Sequence, residues 1–279
     1  MTTGERAYLA IDIGATKTLC AAFSADGRLL LTHQFPTAKN YPKFLKDLGK
    51  VVREEFEHYQ FTEVCCAVPG RIDRKAGIGE VFGNLTWRNV PIKEHLKRLI
   101  HTAVWIENDA NLAGLSEALL VQKKYKRVLY LTLSTGIGDG FIVNGKIDPT
   151  LADSEAGQMM VEHRGRIAAW EDFASGRALK DRYGKLAREI DDPMIWDAYA
   201  KDVAAGLNEL LAVLQPEVVI IGGSMGTQLD KFGSSLLHEL ERHPNKMVDI
   251  PPIVKAQRPE EAVIYGCYEL IKQNLEKKS

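Results

Sequence analysis

YLAIDIGATKTLCAAFSADGRLL, Tyr8 to Leu30, reads as a buried strand, a turn of small residues and a returning strand. Leu9, Ala10, Ile11 and Ile13 supply the first apolar run, Gly14 to Thr18 bend it, and Leu19 to Phe23 return it before Asp26-Gly27 turns the chain again. A turn of that composition exposes main-chain N–H groups, which hold phosphate oxygens well when they point into one concavity. Asp12 stands at its mouth, and a carboxylate beside phosphate calls for a cation between them, so Mg²⁺ is expected there, directly or through water. Alone, the stretch is equally readable as an ordinary hairpin. A second copy tips the balance: YLTLSTGIGDGFIVNGKI, Tyr130 to Ile147, repeats strand, Gly/Thr turn (Thr135, Gly136, Gly138, Gly140), strand and Asn144-Gly145 turn. Two such hairpins predict two similar domains, each bringing a backbone cradle to one polyphosphate.

Composition agrees with two domains. The chain has 279 residues, 45% hydrophobic, enough to fill two modest cores. With 36 Lys+Arg against 37 Asp+Glu the formal charge is −1, and no block of like charge points to nucleic acid or an anionic membrane. Cys20, Cys65, Cys66 and Cys267 form no C-x-x-C pair, so neither a disulfide frame nor a thiolate zinc site is legible. Arg6 and Asp12 interrupt any signal-like apolar run, and no segment approaches the roughly 18 apolar residues of a spanning helix. A soluble, cytoplasmic protein is expected.

Along the chain, Phe44 to Tyr59 has helical spacing, Val64 to Val68 is a strand, and Pro69-Gly70 opens a long loop to Pro91. Within it Asn84 beside Trp87 could grip a polar ligand with an apolar face. Ile92 to Ile100 is a helix, and the strand Ala103 to Ile106 delivers Glu107-Asn108-Asp109-Ala110-Asn111 to where an α/β sheet places its chemistry. Asp109 is also a candidate N-cap for the helix Asn111 to Val121. Later come a polar loop, Asp153 to Gln158, an amphipathic run, Ala168 to Lys185, and a long helix, Met194 to Leu214. Val218 to Ile221 is a strand entering a glycine turn, Gly222 to Gly226, which could admit a base or ribose. Helices over Gln228 to Arg242 and Pro259 to Leu275 flank the strand Ile253-Val254, and Ala262 and Gly266 predict close packing of the last helix. The expected domains are residues 1–111 with about 259–279, and 112–258.

Six separated regions resemble the ROK (repressor, open reading frame, kinase) sugar kinases of the actin-like ATPase superfamily. Asp12 to Thr18 and Leu133 to Gly140 look like the two phosphate motifs. AVPGRID followed by GNLTW resembles the sugar-binding loop, and ENDAN the segment with the catalytic Asp. EAGQ and WEDFASGRAL match the acidic sugar contacts, and IIGGSMG the adenosine loop. The resemblance implies a two-domain α/β fold with its active site in the interdomain cleft. It implies phosphoryl transfer from ATP to a hexose hydroxyl, glucokinase-like and at the 6-hydroxyl, by a homodimer. Asp109 would be the base. Asn84, Asn108, Asp109, Glu155, Gln158 and Glu171 would bind the sugar. Asp12, Gly14, Ala15, Thr16, Lys17, Thr135, Gly136, Gly138, Gly222 and Gly223 would bind the nucleotide, with Mg²⁺ near Asp12. Many members carry His where Gln158 stands and a zinc-binding cysteine segment before Trp-Glu; Val161 to Ala169 has no Cys, so no zinc is expected. The chain also reaches its first strand by Tyr8, leaving no room for the helix-turn-helix of the repressor branch, so no nucleic-acid partner is expected. An Asp near pKa 3.9 facing an alcohol near 15.7 would need about 16 kcal/mol for full prior proton transfer, so Asp109 is expected to orient the hydroxyl and accept its proton late. A polyphosphate donor and a non-catalytic sugar-binding regulator are the alternatives.

Overall fold

The computed structural model describes residues 4–242 and 247–277; residues 1–3, 243–246 and 278–279, the last pair included in the expected final segment, lie outside them. Two compact units emerge, one running to Ser116 and resuming at Glu261, the other spanning Glu117–Glu260.

In the first unit, β1 (Glu5–Ile13), β2 (Lys17–Phe23) and β3 (Leu29–Pro36) form an antiparallel meander. Helix α1 (Tyr41–Glu54) starts where the Asn40 side chain accepts the Lys43 N–H at 3.0 Å and Pro42 tolerates the first turn. Its helical apolar spacing does not persist to Tyr59, which instead opens β4 (Tyr59–Val68) by pairing with Glu5; strand pairing overrides periodicity there. β4 lies parallel to β1, and its run Val64–Val68 is wholly buried, as a central parallel strand should be. The expected loop to Pro91 is a small antiparallel sheet: β5 (Arg71–Asp73), β6 (Ile78–Val81) and β7 (Arg88–Val90). Strands of three or four residues carry too little alternation to be read from sequence, and Gly77, at φ +75°, turns the chain between two of them. α2 (Ile92–Ile100) follows, then β8 (Ala103–Asn108), parallel to β4, and α3 (Asp109–Val121). The main sheet runs β3-β2-β1-β4-β8.

The second unit repeats that topology. β9 (Arg127–Leu133), β10 (Ile137–Val143) and β11 (Lys146–Ile147) form the meander. A 3₁₀ turn, Ala156–Gln158, leads into a hairpin, β12 (Met160–His163) and β13 (Arg166–Ala169). The amphipathic run splits into α4 (Trp170–Ala174) and α5 (Gly176–Tyr183), because Ser175 takes an extended conformation and its hydroxyl accepts the Ala178 N–H at 3.2 Å. α6 (Pro193–Leu214) ends on Gln215 in the left-handed region before Pro216. β14 (Val218–Gly222) then pairs parallel with β9, the glycine turn forms α7 (Gly223–Gly226), and α8 (Leu229–Glu241) and β15 (Ile253–Lys255) complete a sheet ordered β11-β10-β9-β14-β15. The last helix, α9 (Ala262–Glu276), returns to the first unit and packs with β1 and β4 around Ala10, Phe23, Cys65, Leu112 and Cys267. All four cysteines are buried and free. Among the described residues no helix is long and apolar enough to cross a membrane.

Candidate active site

Each unit gathers part of the expected site at the carboxyl ends of its parallel strands, where helix N-termini and turns leave backbone groups open. In the first unit, register aligns Asp12 of β1 with Ala67 of β4 and Ala67 with Glu107 of β8. Burial, and after it the charge of the nearby Asp109, push the Asp12 carboxyl up to about 7 against the lowering effect of Lys17. Burial likewise pushes Asp109 up to about 6, against the lowering effect of the Ala110 and Asp109 N–H groups.

Asp109 is not the cap of α3. Asn108 Oδ1 accepts the N–H groups of Ala110 (2.8 Å) and Asn111 (3.1 Å), while its Nδ2 donates to Gly70 O at 3.2 Å. Asp109 thus occupies the first helical position, its Oδ1 accepting the Ala110 N–H at 2.9 Å. Behind it, Glu107 accepts two bonds from Arg74, at 2.8 and 2.5 Å, the Asn108 N–H at 2.7 Å and the Asn111 amide at 3.1 Å. This bracket was missing from the sequence reading, since nothing local marks Arg74 as its partner.

The first turn is closed by the Gly14 N–H, donated to Lys17 O at 3.0 Å, so that group is engaged in the turn itself. The N–H groups of Ala15 and Thr16 have no backbone partner among the described residues, and Ala15, Thr16 and Lys17 are exposed. Asn84 is exposed on the turn after β6, with its neighbours Val81 and Gly83 against Gly70, the residue that Asn108 also contacts. Trp87 does not accompany it toward ligand. It is 4% exposed, packs on Tyr41, Phe44 and Phe82, and donates Nε1–H to Lys39 O at 2.7 Å, because its ring is worth more in the core.

In the second unit the turn expected to hold phosphate comprises Ser134, Thr135 and Gly136, with the Ser134 N–H donated to Gly136 O at 2.9 Å and Thr135 exposed. Gly138 lies beyond it, within β10 opposite Thr132. Glu171 reaches this turn: its Oε2 accepts the Ile137 N–H at 3.2 Å, and its Oε1 accepts Gln158 Nε2–H at 2.9 Å, with Arg177 at 3.8 Å. Glu155 is exposed on the polar loop Asp153 to Gln158, the acceptor loop if the sugar contacts are as expected. That loop is held by Asp139, which accepts the Ser154 hydroxyl and the Ala156 N–H (2.8 Å) and whose carboxyl is raised by burial. Asp139 lay inside the quoted motif yet its role was unreadable, since its partners are 15 and 17 residues away. At the glycine turn, a Cβ on Gly222 would meet the Tyr130 hydroxyl at 2.2 Å and one on Gly223 would meet Leu133 O at 2.5 Å. Close packing on β9 therefore requires these glycines.

Where the resemblance expects a zinc segment, β12 and β13 are tied down by other means. His163 stacks on Phe173 and bonds Asp202 Oδ1 at 2.9 Å, and Arg182 bonds Asp202 Oδ2 at 2.5 Å. Among the described residues no group of three His, Cys, Asp or Glu could hold a metal ion.

Known proteins resemble this chain over nearly its whole length. N-acetyl-D-glucosamine kinase of Haemophilus influenzae (strain 86-028NP) is 26% identical over 94% of this chain and 98% of its own. The crystal structure of a ROK family glucokinase from Streptomyces griseus, in complex with glucose and AMPPNP, matches with TM-score 0.81 at 23% identity, covering 96% of this chain and 99% of that one. The crystal structure of the inorganic polyphosphate/ATP-glucomannokinase of Arthrobacter sp. strain KM matches with TM-score 0.74 at 26% identity, over 97% and 100% of the two chains. The architecture is the two-domain actin-like ATPase fold of such glucokinases. The ROK family model matches residues 8–274, and the chain belongs to the ROK family.

Proposed function

We propose that the protein transfers the γ-phosphoryl group of ATP to the 6-hydroxyl of a hexose, with Asp109 as the base. The observation that carries this reading is the pair of carboxylates, Asp12 and Asp109, raised to about 7 and about 6 beside the Gly14–Lys17 turn. Half-buried carboxylates raised by desolvation, one of them also by the other's charge, are arranged for chemistry more often than for stability. Membership of a family that includes sugar kinases supports it further.

Against an alcohol near 15.7, a base near 6 leaves a gap worth about 13 kcal/mol, so Asp109 cannot ionise the hydroxyl in advance. It orients the hydroxyl instead. As the oxygen bonds to the γ-phosphorus and the bond to the β,γ-bridging oxygen breaks, the proton passes to Asp109 and ADP leaves with the bonding electrons. Mg²⁺ suits a site with the single carboxylate of Asp12, since that ion takes one or two carboxylates and completes its shell with phosphate and water. Asp12 would hold it, directly or through water, and it would neutralise charge on the β- and γ-phosphates. Ala15, Thr16, Lys17, Thr135 and Gly136 are assigned to the phosphates, with Gly14 and Gly138 shaping the turns and Gly222 and Gly223 at the adenosine. Asn84, Asn108, Glu155, Gln158 and Glu171 are assigned to the ring hydroxyls; a site built this way rejects analogues lacking them.

Polyphosphate as donor is the second reading, favoured by the likeness to the Arthrobacter enzyme. A kinase screen of glucose, mannose, fructose, N-acetylglucosamine and N-acetylmannosamine against ATP and polyphosphate tests both. ADP release with one of these sugars is the expected result. Sugar binding without turnover on either donor would leave a sugar-binding regulator and refute the proposal.

A further inference from the structure

Glu171 touches both ligand-binding segments of the second unit at once. Its Oε2 accepts the N–H of Ile137, the first residue after the phosphate turn, and its Oε1 accepts Gln158 Nε2–H, from the acceptor loop. Two glycines make room for it. A Cβ on Gly136 would meet Oε2 at 2.6 Å, and one on Gly157 would meet Oε2 at 3.1 Å and Ile137 O at 2.3 Å. The same strand adds a second fastening: Asp139, two residues past Ile137, holds Ser154 and Ala156 on either side of Glu155. A side chain at residue 136 would displace the carboxylate, and one at residue 157 would strike the Ile137 carbonyl and crowd the carboxylate.

We infer that Glu171 is a positioning residue that braces the phosphate turn against the acceptor loop, so that donor and sugar binding are energetically coupled inside this unit. A carboxylate serving only as a sugar contact would need neither the Ile137 bond nor the clearance at Gly136. The neutral Gln158 suits the brace, since its amide donates to Glu171 without competing for charge, and its own oxygen stays free to accept from a sugar hydroxyl. The ligands' identities rest on the kinase reading; the brace does not.

Hydrogen–deuterium exchange and ligand titration on Gln158→Leu and Glu171→Ala test it. The residue 158 variant removes one bond from the acceptor loop and leaves the turn's own sequence intact. Both variants should exchange faster over residues 134–138. Both should also bind AMPPNP with Mg²⁺ at least about 5-fold more weakly in sugar-free protein, the lower range of ordinary site-to-site coupling. Unchanged exchange over 134–138 in Gln158→Leu with unchanged AMPPNP affinity, and only weaker binding of glucose or N-acetylglucosamine, would overturn the inference. If Glu171→Ala fails to fold, Gln158→Leu decides alone. Faster exchange in a protein whose wild type binds neither AMPPNP nor any of these sugars would overturn the coupling together with the kinase reading, leaving only the fastening.

Discussion

Asp109 and Asp12 have folded-state carboxyls above the ordinary range, which ties function to stability. A carboxyl with a raised folded pKa favours the fold in its protonated form. That contribution is complete below about pH 4, the unfolded value, and is lost as pH rises through about 6 for Asp109 and about 7 for Asp12. Asp109→Asn keeps an acceptor for the Ala110 N–H and removes the buried charge. Without Mg²⁺ the variant should therefore be more stable than wild type by about 1–3 kcal/mol at pH 8, and little different at pH 4.5. Urea denaturation at both values checks this, and a difference independent of pH would contradict it. In turnover, a base near 6 predicts that kcat/KM falls on the acid side of about pH 6, read from a pH–rate profile. The position of Asp109 was legible because a polar cluster follows an apolar strand. Its cap was not, since Asn108 and Asp109 are both good caps and only coordinates separate them.

Helices and strands with long periodic runs were readable from sequence, Ile92–Ile100 to the residue. Elements whose limits depend on distant partners were not: β5 to β7 read as loop, and the break at Ser175 was hidden inside one amphipathic run. The Ala262/Gly266 spacing on α9 did signal close approach. A Cβ on Gly266 would meet Leu112 O of α3 at 1.9 Å, nearer than any adjustment of side chains alone can relieve. Gly266→Val should push α9 away from α3 and destabilise the protein by about 1–3 kcal/mol or more, measured as a shift in urea midpoint at constant slope. Leu112 lies one turn beyond Asp109, so turnover should fall as well. An unshifted midpoint would mean that the helices are not packed this closely.

Over the whole chain, the repeated hairpin was the legible feature, and the two sheets do share one strand order, β3-β2-β1-β4-β8 and β11-β10-β9-β14-β15. Duplication could be seen because each copy keeps strand, small-residue turn and strand in sequence. The fastening of β12 and β13 could not, because His163, Arg182 and Asp202 are 39 and 20 residues from partner to partner. With His163 already bonded to Asp202 and no cysteine in that hairpin, the purified protein should contain no stoichiometric zinc; elemental analysis finding one zinc per chain would contradict this. The account as a whole stands on Asp109 as the group that aims a sugar hydroxyl and takes its proton. Its most direct test is Asp109→Asn assayed with the sugar that the screen identifies, turnover and sugar affinity being measured on the same preparation. Turnover should drop more than about 100-fold while sugar binding persists, the range of a lost general base. Turnover within a few-fold of wild type would contradict the account.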